Sequence, residues 1–118
     1  MANKLVAIGA LNGLISVAAG AFGAHALRDR LEPRALEIFE TAARYQMYHA
    51  LAIVLCGVLA VRGANAAGWV FQAGIVIFSG SLYALALTGT KGLGAITPIG
   101  GLAFLIGWAL LAWTAFRG

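Results

Sequence analysis

Charged residues gather at a few places along the chain: Lys4, the stretch from Arg28 to Arg44, Arg62, Lys91 and Arg117. The intervals between them are apolar. Leu5 to Leu27 runs uncharged for ~23 residues, enough at about 1.5 Å per residue to cross a hydrocarbon layer about 30 Å thick. Tyr45 to Val61 is the shortest such run at ~17 residues, and Ala66 to Thr88 and Pro98 to Phe116 complete the set. None alternates with the period of a strand, and in lipid only helices or closed barrels satisfy their own backbone groups. The pattern predicts an all-α, integral membrane four-helix bundle, a single transmembrane domain over residues 1–118 with spans at about 5–27, 45–61, 66–88 and 98–116.

The segment between the first two spans holds all the acidic residues, Asp29, Glu32, Glu37 and Glu40. Pro33 can open a helix at its first position. Leu31, Ala35, Ile38, Phe39 and Ala42 then share one face, Arg34, Glu37, Thr41 and Arg44 the other, and Glu40 stands i,i+4 to Arg44 for an ion pair. This predicts an amphipathic interfacial helix at about 33–44, lying at the membrane surface and running into the second span. Arg62-Gly63-Ala64-Asn65 reads as a helix end and tight turn, and Gly89 to Gly94 breaks the third helix ahead of Pro98. Lys4 and Ala24-His25-Ala26 sketch a secretory signal with its cleavage site. The apolar run outlasts the roughly 7–15 residues of such a signal, so a retained helix is expected.

Composition removes whole classes. The chain is 62% hydrophobic and 10% charged with mean hydropathy +0.91, too few ionised groups to cover a water-facing surface. The net charge of +4 comes from cations that mostly flank apolar runs, so headgroups rather than nucleic acid are their partners. The two loops on one side carry Arg28, Arg30, Arg34, Arg44 and Lys91, against Lys4, Arg62 and Arg117 on the other, which places the first side in the cytoplasm. Cys56 is the only cysteine, so no disulfide forms within the chain.

Small residues are the means by which membrane helices approach. Gly9, Gly13, Ser16, Gly20 and Gly23 repeat along one face of the first span, and Ala103 and Gly107 do so in the fourth. The polar residues inside the spans are Asn12, Ser16, His25, His49, Gln72, Ser79 and Ser81, with no acid among them, which argues against a proton-coupled antiporter. Asn12 and Gln72 are expected to bond between helices. His25 and His49, at the facing ends of the first two spans, could ligate a haem or a metal; the structural alternative is a hydrogen-bonded cluster with Tyr45 and Tyr48. Trp108 is expected to pack between helices. The chain has no CxxC, no phosphate loop, no Ser/His/acid set and no HExxH.

The strings Gly20-Ala21-Phe22-Gly23-Ala24-His25-Ala26-Leu27, Tyr45-Gln46-Met47-Tyr48-His49-Ala50-Leu51 and Ile96-Thr97-Pro98-Ile99-Gly100-Gly101 occur in that order. In these the chain resembles the YgdD/YwdK-like family of small inner-membrane proteins. The resemblance implies about four helices in a bacterial plasma membrane and no reaction, and it singles out His25, Tyr45, Tyr48, His49, Pro98 and Gly100. The expectation is a multi-pass membrane protein that is not an enzyme, needs no cofactor, has the lipid bilayer as its solvent, and serves as accessory or assembly partner in a homo-oligomer or larger membrane complex. Haem or metal binding through His25 and His49, or an oligomeric channel or transporter, are the alternatives.

Overall fold

The structure is a computed structural model describing residues 3–59 and 61–118; Ala60, within the second expected span, lies outside them. Helix α1 covers Lys4–Phe22 and continues as one π-helical turn, Gly23–Leu27. Helix α2 covers Pro33–Val58, α3 Ala64–Thr88 and, after a 3₁₀ turn at Lys91–Ala95, α4 covers Thr97–Arg117. Three of these segments, Lys4–Leu27, Ala64–Thr88 and Lys91–Arg117, are long and apolar enough to cross a membrane. The all-α reading holds.

Local chemistry sets the helix ends. The Asn3 carboxamide accepts from the Val6 N–H at 3.1 Å and donates to the Gly57 carbonyl at 2.9 Å. It caps α1 and ties that end to the far end of α2. Gly63 at φ 95° and Gly89 at φ 71° bound α3 in the left-handed region where a Cβ is strained.

Successive helices run antiparallel. α1 packs on α2, α2 on α3 and α3 on α4, whereas α1 and α4 share no packed interface among the described residues. The result is a flattened layer of 49 × 28 × 18 Å with α2 and α3 in the middle. Glycine lets these helices close on each other. A Cβ on Gly9 would lie 2.9 Å from the Ala50 carbonyl oxygen of α2. Between α3 and α4 the fit is reciprocal: Phe71 fills the notch at Gly107, Phe78 the notch at Gly100, and Phe104 the notch at Gly74. One buried cluster, including Leu5, Ile53, Cys56, Phe71 and Phe104, fills the middle and one end. A second, of Leu27, Phe39 and Ala86, fills the other end.

The helix expected to open at Pro33 does so and runs unbroken through the second apolar run to Val58 as α2. Its apolar side packs on protein: Phe39 meets Gly23 and stacks edge-on against Tyr83 at 5.0 Å, while Leu31, Leu36 and Ile38 join the same cluster. The ion pair forms between Arg34 and Glu37 at 3.3 Å, both exposed, rather than between Glu40 and Arg44. The small-residue stripe of α1 divides. Gly9, Ser16 and Gly23 are buried against α2, but a Cβ on Gly13 or Gly20 would meet nothing within 4 Å. In α4 Ala103 is half-buried, and Gly100 joins Gly107 as the close-approach residue.

Candidate functional site

The polar side chains within the helices fall into an inner set and an outer set. The inner set begins with Asn12, which donates to Gln72 Oε1 at 2.7 Å and to the Ile8 carbonyl at 3.0 Å. Gln46 Nε2 donates to Asn12 Oδ1 at 3.0 Å, and the Tyr83 hydroxyl donates to Gln46 Oε1 at 2.8 Å. One chain of amides therefore joins α1, α2 and α3. Ser16 and Ser79 donate to the Ala43 and Ala42 carbonyls of α2 at 2.6 and 2.8 Å, and Ser81 pairs with Thr97 of α4 at 2.6 Å. Among the described residues no buried side-chain nitrogen or oxygen lacks a partner, as a lipid-facing fold requires.

His49 forms a second inner node and links α2 to α4. Its ring stacks on Phe104 at 3.5 Å between centroids, only 6° from parallel, with Phe71 at 5.5 Å. Nδ1 lies 2.7 Å from the Tyr45 carbonyl, and Trp108 Nε1 lies 3.1 Å from Nε2. An indole N–H can only donate, and a carbonyl can only accept. His49 is thus the neutral tautomer with its proton on Nδ1, and its remaining lone pair is taken by Trp108. Tyr45 and Tyr48 touch edge-on at 5.4 Å and flank this node with partly exposed rings. In a double-mutant cycle His49→Phe with Trp108→Phe, we expect a coupling of about 0.6–1.7 kcal/mol, measured by reversible unfolding in detergent.

His25 does not join this node. It is exposed on the π turn, whose Gly23 lies against Phe39. Phe39 and His49 are ten positions apart on α2, about 15 Å along its axis, and α1 runs antiparallel away from His49. One iron or metal ion therefore cannot be held by both histidines in this fold. The pairing is not made because the antiparallel register sets the π turn that carries His25 beside Phe39, near the start of α2, and His49 farther along the helix. No group of three metal-ligating side chains occurs among the described residues.

The outer set is on α2. Glu40 and Arg44 are exposed, next to the open positions of α1. The adjacent residue Ala43 receives the Ser16 hydrogen bond, and Ala42 that from Ser79. Arg44 is therefore level with the middle of α1 and of α3, about 16 Å from the start of α2 and about 21 Å from its end at 1.5 Å per residue. A groove of about 380 Å³ between α1 and α2 is lined by Val17, Gly20, Met47 and Tyr48 beside these charges. The sequence pattern places a helix start at Pro33 but not its register against α1, and the charged stretch beside Gln46 masks that residue's place on the buried face.

Long apolar helices stacked through glycine notches, with their internal polar groups mutually bonded, define a multi-pass helical protein of the plasma membrane. The particular kind follows from relatives. The family model described as protein of unknown function (DUF423) matches residues 19–101, and the chain belongs to that family. It is similar to a UPF0382 membrane protein of Staphylococcus aureus, SAB0533, at 48% identity over 95% of this chain and 94% of that one. A Staphylococcus epidermidis UPF0382 membrane protein is 50% identical over 90% and 89% of the two chains, and YwdK of Bacillus subtilis 43% over 95% of each. No solved structure matches it.

Proposed function

We propose that this protein is a four-span, non-catalytic accessory or assembly component of the plasma membrane, which binds another membrane polypeptide through the outer α1–α2 face. On this reading α2 is the fourth span. It is as long as its neighbours and packs along α1 and α3, and its charged residues lie on the side that a partner covers. The observation that carries the reading is the position of Arg44, exposed level with the middle of two apolar helices, with Glu40 exposed one turn nearer the start of α2. A lone Arg or Asp at the centre of a lipid-facing helix is disfavoured by about 2.5–3.5 kcal/mol, and such groups normally face protein. The amides and histidine of the interior are engaged in joining helices, which fits a scaffold better than a transport path.

A photo-crosslinking residue at Met47, in the groove, tests this in native membranes. A discrete adduct with a polypeptide is expected. Illumination that yields only lipid adducts and free chain would remove the basis for the reading.

A further inference from the structure

The charges on the α1–α2 face say what kind of polypeptide suits it. Glu40 and Arg44 have opposite sign and lie one turn apart on one helix, about 6 Å along the axis. Among the described residues neither has an ion partner, since the only salt bridge joins Arg34 and Glu37. In a two-fold dimer each residue meets its counterpart's neighbour and the reverse. A positive and a negative group separated by one turn are then complementary to themselves, twice over. The adjoining surface of α1 permits close approach: Gly13 and Gly20 have open space where a Cβ would stand, with Val17 exposed between them. That is the small-residue geometry by which membrane helices associate. A partner of uniform charge would satisfy one member of the couple and oppose the other.

Resting on the partner-binding reading above, we propose that the occupant of this face is a second copy of the chain, with Arg44 of each copy paired to Glu40 of the other. The long Arg side chain spans the one-turn offset between the two groups. Two ion pairs form for four charges, and none is left facing lipid.

The test uses two differently tagged full-length copies expressed together, extracted in mild detergent and purified through one tag. Wild-type copies are expected to co-purify. Glu40→Arg alone sets positive charges against each other and Arg44→Glu alone sets negative ones, so each is expected to lower co-purification at least about tenfold. Co-expressing the Glu40→Arg copy with the Arg44→Glu copy restores both pairs across the interface and is expected to restore co-purification. A same-helix Glu40–Arg44 pair could not be rescued between chains. Circular dichroism of each variant checks that the helices persist.

Association insensitive to the single reversals, or no recovery on co-expression, overturns the proposal. A Met47 adduct containing another membrane protein and no second copy overturns it too, yet leaves the partner-binding reading standing. Loss of every polypeptide adduct would defeat both.

Discussion

Gly100→Val is expected to leave little folded protein in the membrane, seen as loss of the detergent-soluble monodisperse species and of protease resistance between α3 and α4. A Cβ at this position would lie 2.7 Å from Phe78 Cβ and 2.8 Å from Phe78 Cα. The obstacle is backbone, which cannot rotate aside as the end of a side chain can. Either α4 withdraws from α3 or the chain distorts. Inserting methylenes into a packed core typically destabilises by about 1–3 kcal/mol, and a backbone obstacle belongs at or above the upper end. Withdrawal would also free Phe104 from Gly74, Phe71 from Gly107 and Trp108 from His49, so the loss spreads along the interface. Gly80→Ala is the control. Its Cβ would meet nothing within 4 Å on the exposed side of α3, and replacing a mid-helix glycine by alanine gains about 0.5–1 kcal/mol.

Gln46→Leu should have the next largest effect. This one side chain accepts from Tyr83 and donates to Asn12, so its removal orphans a hydroxyl and a carbonyl oxygen in an apolar interior. Leaving a buried polar group unpaired costs about 1–3 kcal/mol, and hydrogen bonds between membrane helices are individually worth about 0.6–1.7 kcal/mol. A loss of about 2–3 kcal/mol in unfolding free energy is therefore expected in a detergent titration. Combining Gln46→Leu with Tyr83→Phe should be less damaging than the sum of the two, because the second change removes the orphaned hydroxyl. Strict additivity would mean that the network does not act as a unit.

The apolar runs made most of the fold legible in the sequence, since lipid penalises an unbonded backbone and leaves helices as the economical solution. The turn at Gly63 and the break at Gly89 were readable for a comparable reason: each needs a conformation that glycine tolerates. The start of α2 was legible as well, because a first-turn proline is tolerated at Pro33. Its register against the neighbouring helices was not: only the hydrogen bonds from Ser16 and Ser79 set Arg44 level with the middle of α1. The apolar run from Tyr45 suggests His49 at the end of a span near His25, whereas the packed helices hold the two apart. The α1 glycines were recognised as a packing stripe, but two of them face outward, and which side a neighbouring helix takes is a property of the assembled layer. The indole of Trp108 was expected between helices, yet its bond to His49 joins positions 59 apart, a relation that no local pattern encodes.

The order of packing in this layer has a consequence for biosynthesis. Each helix rests chiefly on the one made just before it, and the first and last never have to find each other. Assembly can therefore keep pace with the ribosome: α1 and α2 settle as a hairpin, α3 docks as it leaves the insertion machinery, and α4 closes over the Phe78 edge at the end. Such a nascent chain never awaits a distant complement, which is the situation in which local contacts speed folding and shorten the life of half-made intermediates.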